Sequence, residues 1–244
     1  MGRYYSVHTT FFSGYSSLDA CELGGLCVRM IDMALKKCVY VVATPGYQPE
    51  MCAITLPNLK RYADRLKADF RVITERKFPE WPVVCEKQQI HELGRDYDWN
   101  ISIDADMLVH PTIDDFTEWH PQIHVGNWWY YDMRNYFHVE QQPYFARDGR
   151  FYGIVECLVA TSRHTHELWE PLAGQFDDYK EVFKDPNYWR MGEYCLSHNL
   201  AQYGLKISGM LKRGDNVFHI NYTSGSVERP EVVAHAKLKE WGVG

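Results

Sequence analysis

The chain has 244 residues, 45% hydrophobic and 24% charged, with a formal net charge of −6. That length suits one large α/β domain or two small ones, and the acidic balance disfavours a general nucleic-acid binder, which is more often basic. No apolar run approaches the ~20 residues that span a bilayer, and the N-terminus lacks the basic start and apolar centre of a secretory signal, so the expected location is cytoplasmic.

Residues 1–37 show weak periodicity and read as an extension of unclear structure. Order begins at Cys38. The run Cys38-Val39-Tyr40-Val41-Val42-Ala43 is apolar and β-branched, and it ends at Thr44-Pro45-Gly46. It predicts a buried strand followed by a turn. Pro49 suits the first position of a helix, and Cys52, Leu56, Leu59, Ala63 and Leu66 share one helical face. Pro57 is expected to kink or delay that helix. Phe70–Thr74 predicts a second strand, 83–97 a second helix, and Trp99–Ile103 a third strand running into Asp104-Ala105-Asp106. Strand, helix, strand, helix, strand implies a Rossmann-like sheet flanked by helices. Ligands of such sheets bind beyond the carboxyl ends of the strands, so Thr44, Pro45 and the two aspartates should face one crevice. Beyond this half, strands are predicted at 124–128, 151–160, 217–220 and 232–235. Helices are predicted at 164–173 and 188–203.

Two carboxylates at i and i+2, just past a strand, can both reach one hard cation if the chain bends there. Such a cation keeps positions open for phosphate oxygens. Lys87 lies three residues before Ile90 and can share the inward face of its predicted helix. Glu193 shares a helical face with Leu196 and Leu200, where a carboxylate is costly unless paired or functional. Glu156, alternating within its predicted strand, is a weaker candidate. Trp128, Trp129, Tyr130 and Tyr131 offer flat apolar faces with polar tips, which suit sugar rings.

The seven cysteines contain no CxxC pair, which argues against structural zinc and suits reduced thiols. Asn221-Tyr222-Thr223 matches a glycosylation acceptor, but carries little weight without a secretory route.

The segment Tyr97-Asp98-Trp99-Asn100-Ile101-Ser102-Ile103-Asp104-Ala105-Asp106-Met107-Leu108-Val109 resembles the DxD region of GT-A fold glycosyltransferases. The run Val39–Thr74 is similar in pattern to their nucleotide-binding half. The resemblance implies a single GT-A domain over 38–244, a UDP-sugar donor, and Mn²⁺ or Mg²⁺ at Asp104 and Asp106. It places the nucleotide near Thr44, Pro45, Tyr47 and Ala105, and a diphosphate contact at Lys87. It also implies an acceptor or sugar-handling role at Glu193. The C-terminal run Val233-Ala234-His235-Ala236-Lys237-Leu238-Lys239-Glu240-Trp241 is similar to the ending of family-8 retaining enzymes, without their glycine and proline. It nominates His235 as third metal ligand, with His219 as rival, and Lys239 or Lys237 as a second diphosphate contact. The function so implied is transfer of a hexose to an acceptor hydroxyl, with retention of configuration.

Three alternatives compete. A dehalogenase-type phosphatase should place its D-x-D after the first strand, whereas here two strands precede it. A nucleotidyltransferase usually carries a Gly-rich loop, which Ala43-Thr44-Pro45-Gly46-Tyr47 lacks. A non-catalytic carbohydrate-binding protein is the third, and absence of metal binding by the purified protein would favour it.

Overall fold

The computed structural model describes residues 35–119, 121–128, 130–186, 188–208, 216–221 and 229–243. The first strand, β1 (Lys37–Val42), lies between two parallel neighbours, β2 (Asp69–Ile73) and β3 (Trp99–Ile103), and both its faces are covered, Val39 and Val41 by one core cluster and Cys38 and Tyr40 by another. All five residues of β3 are buried. A near-continuous apolar run is what a strand covered on both sides requires. Between β1 and β2 runs helix α1 (Pro49–Arg65). It passes through Pro57 without a break, against expectation. Pro57 and Ala53, whose carbonyl loses its i+4 donor, are both exposed, so water can satisfy that carbonyl.

The turn between β1 and α1 follows from its residues. Tyr47 N–H donates to the Thr44 carbonyl at 3.1 Å, and Gly46 has a φ of +87°. Proline second and glycine third is the pattern of a type II turn, where only glycine takes the positive φ without strain.

The predicted helix at 83–97 is instead a 3₁₀ segment, Val83–Gln89, followed by one short turn, α2 (Ile90–Leu93). Past β3, the short β4 (Met107–Val109) leaves the main sheet and pairs with β10 (Val217–His219). The remaining strands are β5 (His124–Asn127), β6 (Tyr130–Asp132), β7 (Tyr152–Ile154), β8 (Leu158–Ser162) and β9 (Lys206–Ser208). The main sheet has the order β2-β1-β3-β8-β5-β9, with β8 antiparallel to both β3 and β5. This is the mixed α/β sheet flanked by helices that the sequence predicts.

The single strand expected at 151–160 is two strands in two sheets. β7 pairs with β6, and β8 pairs with β3 and β5. The chain crosses between them at 155–157, where Asn127 Nδ2 donates to the Val155 carbonyl at 2.7 Å. The helix expected at 164–173 is only a 3₁₀ turn at His166–Trp169. The helix expected at 188–203 begins as 3₁₀ at Tyr188–Arg190 and continues as α4 (Met191–Gln202), after α3 (Pro143–Asp148). The strand expected at 232–235 is helical: α5 spans Pro230–Glu240.

One core cluster joins α1, β1, β3, β4 and α5, through Leu59, Val39, Ile101, Leu108 and Leu238. Asn58 pins α1 to β4. Its Nδ2 donates to the Val109 carbonyl at 3.0 Å and its Oδ1 accepts from Val109 N–H at 2.8 Å. Both residues are buried, so Asn58→Ala leaves two orphaned backbone groups. The expected cost is about 2–4 kcal/mol in urea denaturation, with an unchanged m-value.

Candidate active site

The topology gathers chemistry at one edge. β1 and β3 are parallel, so Thr44 and Asp104 leave the sheet on the same side. β8 runs the opposite way, so its beginning meets the end of β3, and Asp104 N–H donates to the Cys157 carbonyl at 2.9 Å. β5 ends there too, and Trp128 N–H donates to the Leu158 carbonyl at 3.2 Å. These ends frame a cavity of about 990 Å³, lined by Thr44, Tyr47, Lys87, Asp104, Ala105, Asp106, Trp128, Tyr131, Glu156, Arg190, Glu193, His219 and Asn221, among others. A second, shallower depression of about 500 Å³ opens beside it, between the end of β1, the end of β2 and α1. It shares Thr44 and Tyr47 with the first.

Among the described residues, Asp104, Asp106 and His219 form a group whose ligand atoms all lie within 4.8 Å of one another. The register explains the histidine. In the antiparallel pair of β4 and β10, His219 stands opposite Met107, the residue after Asp106. The ladder continues one step, with Ile220 N–H donating to the Asp106 carbonyl at 2.8 Å. His219 Nε2 is 3.6 Å from Asp106 Oδ1, and Asn221 Nδ2 donates to Asp106 Oδ2 at 2.7 Å. The ring of Trp128 lies nearly parallel to that of His219, at 6.3 Å and 8°. Burial, and then repulsion from Asp104, raise the Asp106 carboxyl above its ordinary range, partly offset by His219, Asn221 and Lys87.

Lys87 is buried with its ammonium 2.5 Å from Asp104 Oδ1 and 3.2 Å from Glu156 Oε2. Burial alone would lower its pKa, but the two carboxylates outweigh that and hold it above the usual lysine range. Glu156 sits in the crossing between β7 and β8 rather than within a strand. A methyl group on Gly192, at the start of α4, would stand 1.8 Å from Glu156 Oε2. Glycine is therefore what lets the carboxylate and the helix share this space.

Burial pushes the Glu156 carboxyl up to about 8. Lys87 opposes that shift, and the nearby Asp104 and Glu193 add to it. The unfolded chain ionises this group near 4.5, so the folded chain binds more protons between these two values. Its contribution to stability is fully present below about pH 4.5 and is lost as pH rises to about 8. Glu156→Gln keeps the neutral form. It should flatten the decline in urea stability between pH 5 and pH 8 and leave the variant more stable than the wild type at pH 8.

Glu193 lies in the first turn of α4 and is also buried. Arg190 Nη1 donates to its Oε2 at 2.6 Å. Burial raises the Glu193 carboxyl, and Arg190 offsets part of the shift. The Tyr131 phenol is raised by burial first and by Glu193 second, which places the two side by side.

Of the residues nominated from sequence, Thr44, Tyr47, Lys87, Asp104, Ala105, Asp106 and Glu193 line the one cavity. Pro45 is exposed and shapes the turn without lining either cavity. His235 and Lys239 differ from expectation. Both lie exposed on α5, because Pro230 starts a helix where a strand was expected. The histidine beside the two aspartates is His219. Lys237 is near Trp241 and Phe218, with its ammonium 5.1 Å from the Phe218 ring centroid.

The aromatic run divides. Trp128 backs His219, Tyr131 meets Glu193, Tyr130 is exposed, and Trp129 lies outside the described residues. Sequence reasoning missed Asn221 as a site residue, having seen only its glycosylation pattern. It also missed Arg190, whose one signal was its spacing of three from Glu193 on a helix.

No family model and no curated protein matches the sequence. Among solved structures, the chain is similar to galactosyltransferase LgtC in complex with donor and acceptor sugar analogs, at 10% identity and a TM-score of 0.39. That overlap covers 84% of this chain and 95% of that one. It is similar to a mutant Drosophila β-1,4-galactosyltransferase 7 in complex with manganese, UDP-Gal and xylobiose, at 12% identity and a TM-score of 0.41, covering 82% and 79%. It is also similar to a glycosyltransferase involved in the glycosylation of the major capsid of PBCV-1, at 13% identity and a TM-score of 0.35. The overlap there is 55% of this chain and 65%, less than two thirds, of that one. No helix among the described residues is long and apolar enough to cross a membrane.

Proposed function

We propose that this chain is a divalent-metal-dependent glycosyltransferase of GT-A type, which moves a hexose from a UDP-sugar donor to an acceptor hydroxyl. The observation that carries this reading is the convergence of Asp104, Asp106 and His219 at the strand-end cavity, with Lys87 beside them. The donor set fits a hard or borderline cation: two carboxylates and an imidazole on one side, with room for phosphate oxygens on the other. Two carboxylates whose oxygens lie within 4.8 Å of each other repel, and a cation between them would relieve that repulsion.

A bound Mn²⁺ or Mg²⁺ supplies Lewis-acid neutralisation of the charge that develops on a departing diphosphate. The protein's own groups do the rest. Lys87 adds a fixed, desolvated positive charge beside Asp104, where it assists the leaving group. Thr44 and Tyr47, shared by the two cavities, suit the nucleoside, with its base in the shallow depression against α1. Glu193 is held by Arg190, and a carboxylate so engaged suits orientation of the sugar or stabilisation of positive charge at the anomeric carbon. That fits retention better than a free general base would, and NMR of the product anomer tests it.

Calorimetry of UDP, GDP and CDP with and without Mn²⁺ tests the core of the reading. The expected result is UDP binding that requires the metal. His219→Ala should weaken it by about tenfold or more, and His235→Ala should leave it intact. The opposite pattern in the two histidine variants contradicts the ligand set, and no nucleotide binding contradicts the function.

A further inference from the structure

Seven large hydrophobic side chains are exposed among the described residues, and of these only Trp189 and Tyr136 line the large cavity. Trp189 is 50% exposed and Tyr136 39%. Arg190 holds both rings: its guanidinium carbon lies 4.0 Å from the Trp189 centroid and 3.9 Å from that of Tyr136. Each ring therefore has one face covered by the guanidinium, with exposed area remaining elsewhere on the ring. The Arg190 charge is itself matched by Glu193 at 2.6 Å, so the rings do not flank a bare cation that would select an anion. Two aromatic rings held against one guanidinium, which is itself paired with a carboxylate, set apolar and polar surface side by side in the cavity lining.

We propose that Trp189 and Tyr136, clamped by Arg190, form a stacking subsite for a pyranose ring of a carbohydrate acceptor. This rests on the glycosyl-transfer reading of the same cavity. A pyranose presents an apolar C–H face ringed by hydroxyls, which matches an aromatic face bordered by polar groups. The rings are already immobilised, so docking costs little side-chain entropy. They line the same cavity as Asp104 and Asp106, so acceptor and donor would meet within it. The subsite makes the acceptor a saccharide rather than an alkyl or peptide hydroxyl.

Saturation-transfer NMR on the full chain tests this, using lactose, cellobiose and hexyl β-glucoside, each with and without UDP and Mg²⁺. The expected signal falls on ring C–H protons. Trp189→Ala should weaken saccharide binding by about tenfold, Tyr136→Ala should weaken it in the same direction, and Trp189→Phe should restore most of it. Thermal melting of each variant reports that the fold is intact. A signal confined to the hexyl chain, no signal in the wild type, or one unchanged in Trp189→Ala overturns the subsite. If UDP still binds with Mg²⁺ in that case, the transfer reading stands without it. Saccharide contact at Trp189 in a protein that binds no UDP overturns both the acceptor role and the transfer reading.

Discussion

Asp106→Asn should lower the rate of UDP release from UDP-hexoses by about 10²–10³-fold or more, and at the same time raise the stability of the metal-free protein. The two effects share one cause. The Asp106 carboxylate is buried beside Asp104, and both burial and that neighbour disfavour its charge. Asparagine keeps the shape and still accepts from Asn221 Nδ2, while removing the charge that the fold must desolvate. The melting temperature without metal should therefore rise, and the further rise on adding Mn²⁺ should shrink or vanish. Loss of function with a gain in stability marks a residue kept for chemistry. Unchanged turnover, or a variant less stable than the wild type, would count against a metal at this position.

The first half of the fold was legible because each signal there was local. β1, β2 and β3 lie within one residue of their predicted spans, since apolar, β-branched runs bounded by turn residues leave little choice. The Asp104-Ala105-Asp106 triplet was legible for the same reason. The second half depends on pairing between distant segments, which period and composition do not encode. Residues 151–160 read as one strand because their side chains suit a strand throughout. Only the choice of partners, β6 for one part and β3 with β5 for the other, breaks it at Glu156.

His219 gains its place from a pairing of β10 with β4 across more than a hundred residues, and Asn221 follows from the same register. The helical state of 230–240 did have local signals: Pro230 at the start, Glu231 in the first turn, and Lys237 and Lys239 in the last. The β-branched pair Val232-Val233 opposes these signals with a strand preference. The two carboxylates are thus legible in the sequence, whereas the C-terminal likeness favours His235 over His219, the histidine that the strand register sets beside them.

Lys87→Met should do damage of two separable kinds. Lys87 is buried, 2.5 Å from Asp104 and 3.2 Å from Glu156, and since the Glu156 carboxyl is pushed up to about 8, Asp104 is its ionised partner at neutral pH. Removing one partner of a buried pair leaves the other uncompensated, and the expected loss is about 3–5 kcal/mol in the metal-free protein. Mn²⁺ should recover part of that loss, because a divalent cation at Asp104 and Asp106 takes over some of the neutralisation. The melting-temperature gain on adding Mn²⁺ should therefore exceed that of the wild type. Catalysis should not recover with it. If Lys87 faces the diphosphate, the metal-loaded variant still lacks a fixed charge on the leaving group, and UDP release should remain about 10²-fold slow at saturating Mn²⁺. A variant that regains both stability and turnover with Mn²⁺ would reduce Lys87 to a counter-ion of the metal-free carboxylates. One that regains stability alone assigns its ammonium to the reaction.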